Sequence, residues 1–172
     1  MADSLEIDHG KLVEWVKESE DATEDSRALS EKCRRYYDSE QWTDAEIKKL
    51  KTQKQAPTVS NRIKPKIDSL MGMETGNKTT AKAFPRTQEH QKASEAATEA
   101  IRFVLQDNQF DQIRSPSFEN MLIEGTGGCE VIVKPDKKKE KEFKIILNWI
   151  SWDRIIYDPH CRTKNFSPKT CR

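Results

Sequence analysis

The sequence lacks the features that mark membrane, secreted and metal-binding proteins. No apolar run approaches the roughly 20 residues that a membrane helix needs. The acidic start, Met1-Ala2-Asp3-Ser4, has neither the basic nor the apolar region of a signal peptide. The four cysteines, Cys33, Cys129, Cys161 and Cys171, show no C-x-x-C spacing. We therefore predict a protein with no membrane partner, made in a cytoplasm, whose cysteines are reduced and bind no metal.

Catalytic motifs are missing as well. The glycine cluster of residues 125–128 follows a predicted helix and precedes a predicted strand, and no Gly-Lys-Ser/Thr comes after it, so it does not match a phosphate-binding loop. His160 and Cys161 are adjacent in sequence, and adjacent side chains usually diverge, which disfavours a base and nucleophile pair. We predict no catalytic, cofactor-binding or metal-binding residues, no cofactor and no enzymatic activity.

Charge, in contrast, is abundant and is arranged in blocks. Charged residues make up 34% of the chain, as many as apolar ones, and the net charge is +1. The blocks carry net charges of −7 (residues 1–31), +7 (residues 32–86), −5 (residues 87–130) and +6 (residues 131–172). A general nucleic-acid binder usually presents one strongly basic face. Alternating blocks instead favour a chain whose acidic segments dock on basic segments of itself or of identical neighbours.

Helical spacing dominates the N-terminal part of the sequence. The apolar positions predict a helix over residues 5–20 and a second helix over residues 21–41. Thr43 and Glu46 match a capping box, which predicts a short helix through Leu50.

A further helix is predicted to begin near Asn61. Ser60 or Asn61 can cap it, and Pro65 is tolerated because it falls in the first turn, where backbone N–H groups lack partners. Gly72 inside this helix indicates the close approach of another backbone, and Gly76 is a suitable terminator.

Two more helices are predicted in the second half. Small and apolar residues at helical spacing predict a long helix over residues 89–112, in which Ala97 and Ala100 would let a neighbouring helix come close. Pro116 at a first helical position predicts the next helix over residues 115–124.

A β-hairpin is predicted after these helices. The β-branched runs at residues 129–133 and 143–150 predict two strands, and the charged residues 135–141 between them predict a solvated turn. The predicted fold class is therefore α+β, helix-rich with a C-terminal antiparallel β-hairpin. We divide the chain into an N-terminal helical arm, residues 1–58, and an α+β region, residues 59–172.

A series of short blocks punctuates these elements. In order they are Tyr36-Tyr37-Asp38-Ser39-Glu40-Gln41-Trp42, Asn61 with Ile63, Gly72, Asn77-Lys78, Phe84-Pro85, Ser115 with Phe118, Gly125-Thr126-Gly127-Gly128 and Asp158-Pro159. In this order and spacing the chain resembles the N-terminal region of tailed-phage portal proteins of the P22-like type. Two departures stand out. Ser39 and Glu40 replace a glycine before Gln-Trp, and residues 164–167 replace an acidic stretch that follows Asp-Pro.

The resemblance implies a structural role. It implies a protomer of the ring at the capsid vertex through which DNA is packaged and ejected, with residues 59–172 as a truncated, wing-like region. The implied partners are full-length portal protomers in a ring oligomer and capsid and scaffolding proteins. Terminase and the tail adaptor would bind through parts absent here, and DNA would pass through the full ring. The implied location is the virion, and the host cytoplasm during assembly. A reading frame that departs from the family near residue 167 would explain the polar end of the chain.

Two other function classes remain open at this stage. A helical nucleic-acid-binding or adaptor protein could use the basic segment 48–66, which contains Lys48, Lys49, Lys51, Lys54, Arg62, Lys64 and Lys66. A small hydrolase or transferase would need His90 or His160 within hydrogen-bond reach of Cys129 or Cys161.

Overall fold

The computed structural model describes residues 8–77, 79–135 and 143–161. This part of the chain contains five α-helices, two 3₁₀ turns and one β-hairpin. In chain order these are α1 (His9–Tyr37), α2 (Asp44–Thr52), α3 (Lys64–Gly76), a 3₁₀ turn (Gln88–His90), α4 (Gln91–Asp107), α5 (Phe110–Ile123), β1 (Gly128–Pro135), β2 (Phe143–Ile150) and a second 3₁₀ turn (Trp152–Arg154). The prediction of a helix-rich α+β fold with a C-terminal antiparallel hairpin is confirmed.

The N-terminal residues form one long helix instead of the two that the sequence predicted. α1 runs without a break because neither glycine nor proline occurs between residues 11 and 37. Its start is capped by Asp8, whose Oδ1 accepts a hydrogen bond from the Gly10 N–H at 3.0 Å. The predicted boundary near residue 21 is therefore wrong.

The predicted start signals of α2 and α3 are confirmed. Thr43 Oγ1 accepts from the Glu46 N–H at 3.4 Å, and the Thr43 N–H donates to Glu46 Oε2 at 2.8 Å. The bond from the Thr43 backbone holds the pKa of the Glu46 carboxyl below its usual value. At α3, Asn61 Oδ1 accepts from the N–H groups of Ile63 and Lys64, both at 3.0 Å. Each helix start thus satisfies backbone donors that would otherwise lack a partner.

The close backbone approach predicted at a glycine occurs at a different glycine. A Cβ atom on Gly72 would meet nothing within 4 Å, so the prediction for that position is wrong within the part of the chain that the structure describes. A Cβ atom on Gly127, by contrast, would lie 2.0 Å from the Ser117 carbonyl oxygen and 3.0 Å from the Met121 nitrogen. Gly125 has a φ of +82° and reverses the chain after α5. These glycines turn the chain from a helix into a strand, as the sequence predicted.

The boundary between α4 and α5 also differs from the prediction. α4 ends at Asp107, and Gln109 adopts a left-handed φ of 48°, which turns the chain directly into α5. α5 begins at Phe110, so Pro116 lies inside the helix. Proline removes one backbone hydrogen bond there, and contacts of α5 with α1, α3, α4 and both strands offset that cost. The predicted start at residue 115 is wrong because tertiary packing outweighs the local proline signal.

The alanine-rich side of α4 is exposed. Ala97 and Ala100 both face solvent, so the predicted close contact with a neighbouring helix is absent among the described residues. α4 is held instead through the buried Thr98. The Oγ1 atom of Thr98 donates to the Ser94 carbonyl oxygen at 2.8 Å and accepts from the Ala83 N–H at 3.1 Å. This pair of bonds fixes the extended segment before α4 against the helix.

The predicted hairpin is confirmed. β1 and β2 pair antiparallel along their full lengths, from Gly128 opposite Ile150 to Pro135 opposite Phe143. The predicted turn between the strands lies almost entirely outside the described residues.

Asn108, the residue after α4, fastens β2 to the helices. Its Nδ2 donates to the Ile145 carbonyl oxygen at 3.0 Å, and its Oδ1 accepts from the Leu147 N–H at 3.0 Å. α5 is the central element, since it contacts three helices and both strands. Burial around it is sparse, however. Among the described residues, Ile123 is the only large apolar side chain that is buried.

Candidate assembly surface

Arg34 joins α1 to the C-terminal end of α5. Its guanidinium lies 2.8 Å from Glu119 Oε1 and 2.5 Å from Glu124 Oε1, and it donates to Asn120 Oδ1 at 3.3 Å. The Glu124 side chain is completely buried, whereas that of Arg34 is 29% exposed. A buried carboxylate needs such a partner because an unpaired charge away from water costs several kcal/mol. The Arg34 cluster therefore holds α1 across α5.

Further polar contacts extend this junction along the same face of α1. Ser19 Oγ donates to the Tyr157 carbonyl oxygen at 2.6 Å, and the Arg27 guanidinium donates to the Asp153 carbonyl oxygen. The segment after the hairpin is thus fixed against α1 through its backbone carbonyl groups. These hydrogen bonds do not depend on the side chains of the accepting residues.

The C-terminal end of α1 is joined to α3. Asn61 Nδ2 donates to the carbonyl oxygens of Tyr36 and Tyr37 at 3.1 and 2.8 Å. The Tyr37 hydroxyl donates to Asp68 Oδ1 at 2.7 Å, and this hydrogen bond raises the pKa of Tyr37 to about 12. The Lys64 ammonium lies 5.2 Å from the centre of the Tyr37 ring. These contacts therefore tie the end of α1 to the start of α3.

One face of the hairpin is entirely apolar. The register places eight side chains on it, those of Cys129, Val131, Val133, Pro135, Phe143, Ile145, Leu147 and Trp149. Val131 is 64% exposed, Val133 61% and Phe143 72%. A two-stranded hairpin is marginally stable at best on its own, and a contiguous exposed apolar patch is typical of a contact site. We call these eight residues the apolar hairpin face.

The basic segment 48–66 is exposed as well. It covers the second half of α2, the following loop and the first turn of α3, and its seven Lys and Arg side chains are all exposed. No acidic residue occurs in this segment. The hairpin face and this segment give the chain one apolar and one basic surface, both open to a partner.

Comparison with known proteins decides between the function classes. Residues 13–168 match the model of the phage P22-like portal protein family. The chain belongs to this family. It is also similar to the portal protein of Helicobacter pylori bacteriophage KHP30, with 21% identity over 134 residues. That alignment covers 73% of this chain and 22% of the KHP30 protein, so the chain spans less than a quarter of that relative's length.

The blocks that suggested the portal family lie at joints between elements. Trp42 of the Gln-Trp block donates from Nε1 to the Thr58 carbonyl oxygen at 3.2 Å, which ties together the two ends of the segment that contains α2. Asn61 and Gly127 form the joints described above. Ser39 has a φ of 70°, a conformation that favours glycine, at the turn where the portal pattern predicted one. The portal pattern therefore marks positions that set the geometry of the fold.

Portal proteins are structural, and the side chains considered for catalysis do not form the required pair. His160 Nε2 lies 2.8 Å from Glu18 Oε1 rather than beside a thiol. Cys129 is exposed on β1, and His90 ends the 3₁₀ turn before α4. Cys161 is disulfide bonded, so the prediction of reduced cysteines is wrong at this position. The fold, rather than sequence spacing, decides which thiols come within bonding distance.

Across residues 8–77, 79–135 and 143–161, no three His, Cys, Asp or Glu side chains are grouped so that they could hold a metal ion. None of the helices in that part of the chain combines the length and apolar character of a membrane-spanning segment.

Sequence reasoning missed the residues that join the elements. The Arg34 cluster links positions 85–90 residues apart in the chain, and Asn108 bonds to a strand 37 and 39 residues later. No local signal marks Glu124, whose burial and pairing depend on a residue 90 positions away. Its partner could not be identified from one sequence.

Proposed function

We propose that the chain is the N-terminal part of a portal protomer and a structural component of the phage particle. In this role it belongs to the ring at the capsid vertex through which DNA is packaged and ejected. The observation that carries the proposal is the family match over residues 13–168. The similarity to the portal protein of phage KHP30 supports it.

The distribution of buried and exposed residues supports an assembly role. In the described part of the chain, Ile123 is the only large apolar side chain that is buried, while the apolar hairpin face is open. A chain that completes its core through partners requires such open faces. Full-length portal protomers are the partners that we propose for them. Capsid and scaffolding proteins are further partners of the ring, and terminase and the tail adaptor bind its other regions.

Within the protomer we propose two units. Residues 1–58 form a helical arm, and residues 59–172 form a wing-like α+β region. The hydrogen bonds from Asn61 to the carbonyl oxygens of Tyr36 and Tyr37 support a fixed joint between these units. The arm therefore has a defined direction relative to the region that follows it.

We propose no enzymatic reaction for this chain. The portal role is structural, and the contact of His160 with Glu18 gives the histidine a partner other than a thiol. The chain acts by position, first in the host cytoplasm during assembly and then in the virion, while DNA passes through the completed ring.

A tagged copy of the chain, produced in host cells during infection by the phage that encodes it, tests the proposal. We expect the tagged chain to sediment with portal rings and with purified particles, and mass spectrometry of gradient fractions measures it. A host protein of similar size that carries the same tag controls for trapping. Recovery of the tagged chain only in fractions free of rings and particles would contradict the portal role.

A further inference from the structure

α1 carries an acidic patch in its N-terminal half. Residues 14–25 contain six carboxylates and one lysine, a net charge of −5. Glu14, Glu18, Asp21 and Asp25 follow helical spacing and share one side of the helix. His160 of the segment after the hairpin lies at the edge of this side, where it contacts Glu18 at 2.8 Å. We call residues 14–25 the acidic patch.

The acidic patch lacks partners within the described chain, with one exception. Glu18 contacts His160 at 2.8 Å. Glu14, Asp21 and Asp25 are exposed, and they form no ion pair with any other residue that the structure describes. Most of the negative charge of this patch is therefore available to a partner.

A basic patch follows α1 in the chain. It is the segment 48–66, with seven Lys and Arg residues and no acidic residue. None of these seven side chains forms an ion pair with the described residues. The bonds from Asn61 to Tyr36 and Tyr37 fix this patch to the C-terminal end of the helix.

No ion pair joins the two patches within the described chain. α1 has 29 residues and is therefore about 43 Å long at 1.5 Å per residue. The helix from Asp25 to Tyr37 alone spans about 18 Å. Charges are screened over about 8 Å at physiological ionic strength. The acidic patch in the N-terminal half of α1 and the basic patch that follows the helix are therefore both without an ion-pair partner in the described chain, apart from Glu18.

We propose that the basic patch of one copy binds the acidic patch on α1 of a second copy. Charges of −5 and +7 on exposed surfaces of the same chain are complementary between copies. A contact between two different surfaces of identical chains is head-to-tail, and such contacts close into rings when the rotation between copies permits. A nucleic acid is the less favoured occupant, because two acidic blocks and a net charge of only +1 oppose its approach.

This inference deepens the proposed portal role, since a ring needs head-to-tail contacts, but it is tested by self-association of the chain alone. If the tagged chain failed to join particles, the self-association of the isolated chain could still be measured. A failure of the portal role is therefore distinguishable from a failure of the contact between patches. The contact is expected to be weak for a single pair of copies, because exposed ion pairs contribute little individually.

Sedimentation of charge-reversed variants and of their mixture tests the proposal. The basic variant is Lys48→Glu/Lys49→Glu/Lys51→Glu, and the acidic variant is Glu14→Lys/Asp21→Lys/Asp25→Lys. The control, Lys82→Glu/Arg86→Glu/Lys92→Glu, makes the same change of net charge as the basic variant but lies outside both patches. We expect the wild type and the control to self-associate at about 20 mM salt and to be monomeric at about 500 mM salt. Each patch variant alone should associate at least about tenfold more weakly, and their equimolar mixture should form a mixed complex.

Cross-linking provides a second measurement that needs no variant. A zero-length carbodiimide reagent applied to a mixture of isotopically light and heavy chains should join Lys48, Lys49 or Lys51 of one copy to Asp21 or Asp25 of another. The proposal is overturned if the mixture of patch variants does not associate, or if cross-links between copies avoid these residues. A third result would also overturn the proposal. In it, the wild type stays monomeric at low salt and binds a DNA duplex of about 30 base pairs. That binding depends steeply on salt, and only the basic variant loses it.

Discussion

Gly127 approaches α5 so closely that a Cβ atom on it would lie 2.0 Å from the Ser117 carbonyl oxygen. A backbone oxygen in a helix cannot move aside without breaking the helix. We therefore expect Gly127→Ala to destabilise the chain by at least about 1–3 kcal/mol through overpacking. Thermal unfolding followed by circular dichroism measures the change.

Gly72→Ala is the matched control for that substitution. A Cβ atom on Gly72 meets nothing within 4 Å, and the residue lies inside α3. Alanine there should stabilise the helix by about 0.5–1 kcal/mol. Equal melting temperatures for the two variants would show that the contact between Gly127 and α5 does not constrain the fold.

Because the Glu124 carboxylate is buried, replacing its partner Arg34 should cause a large loss of stability. Arg34→Ala removes the guanidinium that contacts Glu124 and Glu119, which leaves the first of these charges buried without a cation. We expect a loss of about 2–3 kcal/mol, somewhat below the usual cost for a fully buried pair because Arg34 is partly exposed. Urea denaturation measures it.

Arg35→Ala controls for the loss of one arginine from the same helix turn. Arg35 is 46% exposed and lies 4.0 Å from Glu40, so its removal should change stability by less than about 0.5 kcal/mol. If both variants unfold at the wild-type denaturant concentration, the Arg34 cluster does not hold α1 on α5.

The hydrogen bond from Tyr37 to Asp68 predicts that the stability of the folded chain depends on pH. This bond raises the pKa of Tyr37 from 10.0 to about 12. Because the folded-state pKa is above the ordinary value, the stabilisation is fully present below pH 10 and is lost as the pH rises toward 12. The difference in tyrosinate absorbance between the wild type and Tyr37→Phe measures this titration.

Asp68→Asn should return the Tyr37 titration toward its ordinary range, since the charged acceptor is removed. Asp44→Asn, at the start of α2, should leave it unchanged. A Tyr37 titration that is the same in all three proteins would exclude the contact between α1 and α3.

Charged substitutions on the apolar hairpin face should give a variant that folds but does not assemble. Val131 and Val133 are more than half exposed, so Val131→Asp/Val133→Asp should leave the melting temperature of the isolated chain within a few degrees of the wild type. In infected cells the same change should remove the tagged chain from rings and particles. Gradient fractions compared with those of the wild type measure this loss.

Ile132→Asp is the control on the opposite face of β1. Ile132 is half-buried, so a charge there should lower the melting temperature of the isolated chain itself. If the double valine variant enters particles as efficiently as the wild type, the apolar hairpin face is not an assembly surface.

Local chemistry explains which parts of the fold the sequence could predict. The capping box of Thr43 and Glu46, the cap by Asn61 and the two β-branched strands depend on residues a few positions apart, and all are confirmed. The portal family was also predictable, because the order of the short blocks is preserved in the chain and is matched over residues 13–168.

The errors arise where a local signal competes with tertiary packing. Pro116 indicated a helix start, but α5 already begins at Phe110 because its contacts with neighbouring elements stabilise the earlier residues as helix. Ala97 indicated a packed face, and it is exposed in this chain. The partners of Glu124 could not be predicted, because Arg34 lies 90 residues away and nothing in a single sequence links the two.

The most direct test of the portal role is the location of the chain in the particle. Cryo-electron microscopy of particles that carry the tagged chain, reconstructed without imposed icosahedral symmetry, measures it. The account predicts label and helical density that fits α1, α5 and the hairpin in a ring at a single capsid vertex. Label at every vertex, or particles with a complete portal ring and no density for this chain, would contradict it.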